Sequence, residues 1–163
     1  MKQKVPQDIR WRQYCSRILV PEEIITTLKE KPRIAILATF SDQGIPHTSP
    51  IQFIYPINEE SFLIAINKFR QGYRNMVWQK KVSLSFLEKD IAYNIACRAG
   101  VILAPSMTHP IINIVRLDII KVKKASSLLI NIDKGVQYSY ASDYAQEVSE
   151  AIWEELKFLS KRI

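Results

Sequence analysis

Arg70 and Arg74 stand four residues apart within Phe69 to Trp78, where Phe69, Tyr73 and Met76 or Val77 recur at helical spacing. Residues four apart on a helix share one face. Two guanidinium forks on one face, with Lys68 close by, suit a phosphate dianion, and a helix start adds backbone N–H groups that favour an anion. Two solvated arginines are the alternative, and the spacing leaves both open. Other residues with chemistry are sparse. His47 follows Pro46 and reads as a surface histidine, while His109 in Ser106-Met-Thr-His-Pro110 reads as part of a connecting turn. Cys15, Cys97, His47 and His109 make a zinc tetrad only if all four converge, and their spacing does not bring them together. Gly44, Gly72, Gly100 and Gly135 are too scattered for a phosphate loop or a dinucleotide turn. With no Ser-His-Asp order, no paired carboxylates on a helix face and no HExxH, the hydrolase and protease classes have no support.

The frame that must position these residues is of ordinary globular composition. The chain has 163 residues, 47% hydrophobic and 24% charged, which suits a single domain over residues 1–163 rather than a disordered chain. A net charge of +7 admits anionic partners, from nucleic acid to a phosphorylated small molecule. Part of that charge is local: Lys2, Lys4, Arg10, Arg12 and Arg17 face only Asp8 in the first twenty residues. A solvated basic face is the simpler account, and nucleic-acid binding the less expected one. With no secretory signal, Cys15 and Cys97 are expected to be free thiols in a reducing cytoplasm. The longest uncharged stretch, Ala99 to Val115, contains Pro105, His109, Pro110 and Asn113 and is a poor membrane span.

Periodicity predicts a mainly β (α+β) chain. A helix is weakly indicated over residues 9–18, and a better one opens at Pro21-Glu-Glu23, buries Ile24, Ile25 and Leu28, and stops at Lys31-Pro32. From Arg33 the period becomes that of strands. Ile34 to Phe40 and a return strand from Pro46 to Tyr55 flank a turn with Gly44 at positive φ, and Pro46 and Pro50 confine the return strand to an edge or a ligand-facing position. Ser61 to Ile66 is apolar on both faces and should lie deep. Val82 to Phe86, Tyr93 to Leu103 and Val115 to Lys123 follow, and the last slips phase at Ile119-Ile120, as a β-bulge does. A final strand is expected over Leu128 to Ile132. Ser142-Asp143 then caps an amphipathic C-terminal helix with Tyr144, Val148, Ile152, Leu156 and Leu159 on its apolar face. Close-spaced strands with helices at either end suggest a closed antiparallel barrel, with a helical segment at 1–32, the barrel at 33–132 and the C-terminal helix at 141–163.

Within that frame, Ile36-Leu-Ala-Thr-Phe-Ser-Asp-Gln-Gly-Ile-Pro-His-Thr-Ser-Pro50 resembles the first hairpin of the pyridoxamine 5′-phosphate oxidase-like, FMN-binding split-barrel superfamily. The resemblance runs from Arg33 to Val101, through Phe62 to Ile66, Arg74-Asn75-Met76, Lys81 to Phe86 and Ile95-Ala-Cys-Arg-Ala99. It implies an antiparallel split barrel, and a homodimer that holds FMN along the subunit interface. The apolar character of both faces of Phe62 to Ile66 also asks for more cover than one small barrel interior provides.

By the same resemblance, Ser49, Pro50, Ile51, Gln52 and Phe53 lie along the flavin ring, with Ile66, Asn67, Gln71 and Asn75 among the cofactor-binding positions. Relatives usually carry a basic residue three or four positions before the asparagine matching Asn75; this chain has Gln71 and Gly72 there, leaving Arg70 and Arg74 to hold the phosphate. Cys97 stands where a small buried residue is usual, and Tyr138, Tyr140 and Trp153 either stack on the ring from the partner or pack in the core. The implied chemistry is hydride transfer to or from flavin N5 with a small substrate stacked on the exposed ring face. No catalytic residue and no substrate is read from the sequence. A non-catalytic electron carrier, a barrel holding another anionic cofactor such as a deazaflavin or haem, and a basic nucleic-acid-binding module are the alternative readings.

Overall fold

The computed structural model describes residues 19–126 and 129–163. Pro21 is the N-cap of α1 (Glu22–Glu30), with Glu22 and Glu23 in its first turn and Ile24, Ile25 and Leu28 buried. The helix expected over residues 9–18 and the basic N-terminal residues lie outside the described residues. A hairpin then joins β1 (Ala35–Phe40) to β2 (Pro46–Ile51) through Gly44, whose φ of 75° no β-branched residue would adopt at low cost. β3 (Ile54–Asn58) and β4 (Ser61–Asn67) form the next hairpin. They are followed by α2 (Gln71–Gln79), β5 (Lys81–Glu88), β6 (Ile91–Leu103), β7 (Ile112–Lys124) and α3 (Asp143–Ser160).

All strands belong to one antiparallel seven-stranded sheet in the order β2-β1-β5-β6-β7-β4-β3. It is the expected mainly β split barrel with flanking helices, open between β2 and β3 rather than closed. The prolines sit where a missing N–H costs least: Pro46 and Pro50 on the edge strand β2, Pro56 on the opposite edge strand β3. Ala96 pairs with Lys121 and Cys97 with Ile119, which leaves Ile120 as the extra residue of a bulge at the expected phase slip.

β4 is buried on both faces because two cores meet on it. Phe62, Ile64 and Ile66 point into the barrel interior, whereas Leu63 and Ala65 pack with Tyr55, Ile112, Ile114, Ile152 and Leu156 beneath α3. The chain's own C-terminal helix therefore supplies the second cover that the two-faced pattern demanded. Burying Ile152 and Leu156 contributes about 1.5–3 kcal/mol each. Ser142 caps α3 by accepting from the Ala145 N–H at 3.1 Å. Glu155, 5% exposed, takes bonds from the Met107 and Thr108 amides and the Thr108 hydroxyl, tying α3 to the β6–β7 connection.

Four sequence expectations are corrected. The return strand expected over residues 46–55 breaks at Gln52-Phe53, because its first half pairs with β1 and its second half must turn to pair with β4. No strand forms over residues 129–132, and Leu128 lies outside the described residues; the run joins neither edge strand of the sheet, β2 or β3. Tyr144 is 70% exposed, as the first turn of α3 precedes its contact with β3 and β4. Phe69 lies before α2 and is exposed, rather than on its buried face. Among the described residues no helix is long and apolar enough to cross a membrane.

Cys97 packs as the small buried group expected, with no exposed surface. Burial first, and Asp118 second, push its thiol from 9.0 up to about 12. A value raised on folding stabilises the native state fully below pH 9 and loses that contribution as pH climbs towards 12. Native protein at pH 8 should leave Cys97 unmodified by a thiol reagent that labels it after unfolding, mapped by peptide mass. Stability should also fall between pH 9 and 10 by up to ~1.4 kcal/mol per pH unit, and Cys97→Ala should flatten that slope. Rapid native labelling of Cys97 would contradict this burial.

Candidate functional site

α2 seats against the barrel through a buried polar chain. Asn75, 3% exposed, donates from Nδ2 to Thr39 Oγ1 at 2.9 Å and accepts from Gln71 Nε2 at 2.7 Å. The Thr39 hydroxyl donates in turn to the His47 carbonyl at 3.5 Å across the hairpin. On the other side Asn113 Nδ2 donates to Tyr73 Oη at 2.8 Å, linking α2 to β7. Met76 enters the core directly. Gly72 lets the first turn approach closely: a Cβ there would lie 3.5 Å from Ser49 Oγ, 3.6 Å from Leu37 Cδ2 and 3.9 Å from Ile66 Cδ1.

This seating gathers part of the expected set. Ser49 on the inward face of β2, Ile66 at the end of β4, Gln71 and Asn75 converge on the start of α2. Asn67 shapes the approach by accepting the Phe69 amide on Oδ1 at 2.9 Å. Arg70 is the N-cap, with φ −72° and ψ 144°, and its carbonyl takes the Tyr73 and Arg74 amides. No carbonyl among the described residues accepts the amides of Gln71 and Gly72, so both remain available at the positive end of the helix dipole. Arg70 and Arg74 are exposed and belong to no ion pair among the described residues. Two open amides, two unpaired guanidinium groups and a nearby serine hydroxyl are a donor set that fits a phosphate dianion.

The remaining expected residues lie elsewhere. Pro50 is exposed on the outward face and Ile51 is core. Gln52 donates from Nε2 to Ser149 Oγ at 3.3 Å, and Phe53 packs under α3, so this end of the expected ring-lining stretch anchors the C-terminal helix. Asn75, one of the gathered set, is bonded on both sides within the buried chain. His47 is half-buried opposite Thr39 rather than fully at the surface, with no partner for Nδ1 among the described residues; His109 does lie in a turn, its carbonyl accepting the Ile112 amide at 3.2 Å. Trp153 packs edge-to-face on Tyr55 at 5.5 Å, as a core aromatic.

Sequence reasoning missed Thr39, Tyr73–Asn113 and Glu155 as tethers. Asn113 had a signal, a lone polar residue in the apolar run Ile111 to Val115. So did Glu155, three residues from Ile152 and four from Leu159 on the buried helix face.

The chain matches the family model described as pyridoxamine 5′-phosphate oxidase over residues 21–115. It belongs to that family. The match spans α1 to the first part of β7 and so includes the start of α2 and both hairpins. No curated protein sequence matches it. Among solved structures, a putative pyridoxamine 5′-phosphate oxidase from Lactobacillus delbrueckii superposes with a TM-score of 0.58 at 18% identity, covering 67% of this chain and 97% of that one. An FMN-binding protein from Syntrophomonas wolfei gives 0.51 at 16% identity, covering 66% and 92%. HutZ, a haem storage protein from Vibrio cholerae, gives 0.52 at 17% identity, covering 68% and 99%. At these identities the likeness is one of fold.

The Asn75–Thr39 bond is testable as the seat of α2. Thr39→Val removes the acceptor and leaves a buried amide unpaired, which should cost about 1–3 kcal/mol in urea unfolding. Thr39→Ser keeps the oxygen and should recover most of the loss. Equal stability of the valine variant and the parent would show that the bond does not hold the helix.

Proposed function

We propose that this family member binds FMN, with the phosphate at the start of α2, and takes part in flavin-dependent redox chemistry on a small molecule. The observation that carries the reading is the placement of Arg70 and Arg74 on either side of the open amides of Gln71 and Gly72, with Gly72 packed beside Ser49. Bound FMN supplies two-electron chemistry at its ring; the chain's part is to bind and orient it. Arg70 and Arg74 neutralise the phosphate, the helix amides fix its position, and Ser49 offers a hydroxyl from β2. A free, buried Cys97 is in keeping with a reducing, cytoplasmic setting.

The reading includes a homodimer. The argument from β4 no longer supports one, since α3 covers its second face. A different surface does. Cross-strand rows on the outward face of the sheet run Thr48–Ala38–Ser83–Ala96 and Pro50–Ile36–Ser85–Asn94, small or flat residues that a second copy can approach closely. α2 packs against the opposite face, and α1 and α3 pack mainly at β3 and β4.

Two measurements test this. Purified protein mixed with FMN should bind it, seen as a shifted flavin absorbance band, and Arg74→Ala should weaken FMN by ten- to a hundredfold, from a charge-assisted bond of roughly 1.5–3 kcal/mol. Riboflavin, with the same ring and no phosphate, should be nearly unaffected by that variant. Equal weakening of both ligands would assign the arginine to the fold, and no binding of either by the parent would remove the flavin reading. Light scattering should give twice the 18.9 kDa chain mass at micromolar concentration; a clean monomer would exclude a cofactor site shared between subunits.

A further inference from the structure

A cleft of about 690 Å³ opens between the α1–β1 link, the β5–β6 hairpin and residues 133–140. It shares no lining residue with the start of α2, and the matched family stretch ends before the 133–140 wall. Its size suits a small-molecule ligand.

The floor is an incomplete ion pair. Arg33 Nη1 lies 3.3 Å from Glu88 Oε2, and Arg33 Nη2 3.6 Å from Glu30 Oε2. Glu88 is 8% exposed, yet its Oε1 and Arg33 Nε are both shut away from solvent with no hydrogen-bond partner among the described residues. A buried acceptor and a buried donor left open within one ion pair are costly. What closes them in includes the 133–137 segment. Gly135 passes so close over Glu88 that a Cβ there would run into its carboxylate. The segment belongs to no helix or strand; the Asp90 amide donates to Ile132 O at 3.0 Å at one end, and the Tyr138 hydroxyl to Pro32 O at 3.4 Å at the other. A ligand that pairs both open atoms offsets the work of displacing so lightly tied a cover.

The walls narrow the chemistry. Tyr138 and Tyr140 meet edge to face with ring centroids 5.6 Å apart, giving an aromatic side. Burial, then the bond to Tyr140, raise the Tyr138 hydroxyl to about 12, so that hydroxyl stays protonated near neutrality. Lys31, Lys89 and Lys134 outnumber Asp133 at the rim, which favours an anionic tail.

We propose that this cleft binds a nucleoside monophosphate whose base carries a ring N–H beside a carbonyl, as uracil and guanine do. The ring N–H donates to Glu88 Oε1, the carbonyl accepts from Arg33 Nε, the base lies along the tyrosine wall and the phosphate faces the rim lysines.

The experiment is calorimetric titration of the full chain with UMP, 3-methyl-UMP, which lacks only the ring N–H, and ribose 5-phosphate, which lacks the base. UMP should bind, and both comparison ligands should bind at least about tenfold more weakly. Glu88→Gln should erase the preference for UMP over 3-methyl-UMP. Because that change also disturbs a buried pair, the exposed double variant Lys89→Ala/Lys134→Ala provides a second arm and should lower UMP affinity by about three- to fivefold. Absence of UMP binding at millimolar concentration, equal affinity for 3-methyl-UMP, or an unchanged affinity in the double lysine variant overturns the proposal.

Discussion

The carboxamide of Asn75, buried between α2 and the first hairpin, sets where the start of α2 can lie. A helix of nine residues contributes little stability by itself and depends on the surface it packs against. Met76 supplies the apolar anchor, but an apolar contact alone tolerates sliding. The bond to Thr39 does not, because a shift of one residue would strand a polar amide in the core. With Asn75 seated and Asn113 holding Tyr73 on the other side, the first turn of α2 is brought against β1, β2 and β4, and its two open amides are held where Ser49 ends. The donor set at this point is a consequence of buried hydrogen bonding, not of the exposed arginines that make it cationic.

A second constraint is the unequal cover of the sheet. β4 cannot present either face to water, and the chain meets that demand from within, with the barrel interior on one side and α3 on the other. α3 in turn is held by Glu155 at the β6–β7 connection and by Ser149 at Gln52. The break between β2 and β3 is part of the same arrangement. Gln52 and Phe53 leave the ladder with β1, turn towards β4 and become the ledge on which α3 rests. Ring-lining positions implied by family resemblance are here partly spent on docking a helix.

Most of the strand pattern was legible because period-2 alternation survives wherever one face is buried. The slip at Ile119-Ile120 marked a real bulge, since adding a residue is how alternation changes phase without leaving the sheet. The failures have one cause, that apolar character says nothing about who the neighbour is. Leu129 and Ile130 are as apolar as any strand residue, yet their stretch joins neither edge of the sheet and both side chains stay exposed. Tyr144 has the right spacing on α3 and falls one turn before the helix meets the barrel. At the site, the exposed cations were readable from spacing, whereas the buried partners were not: Thr39 looks like any strand threonine until Asn75 arrives from thirty-six residues away.

The presence of Gln71 and Gly72 where the family resemblance leads one to expect a basic residue also has a spatial explanation. A Cβ at residue 72 would already be in van der Waals contact with Ser49, Leu37 and Ile66, which leaves little room on that side for a long side chain. Gln71 is occupied differently, its amide held by Asn75 inside the tether. A cation at 71 would put a charge beside that buried bond, and a cation at 72 would have little room on that side. Positive charge near these amides therefore falls to positions before and after the close approach. Arg70 and Arg74 are those positions, one helical turn apart and both exposed. The chain keeps the close helix-to-barrel contact through glycine and carries its charge on either side of it.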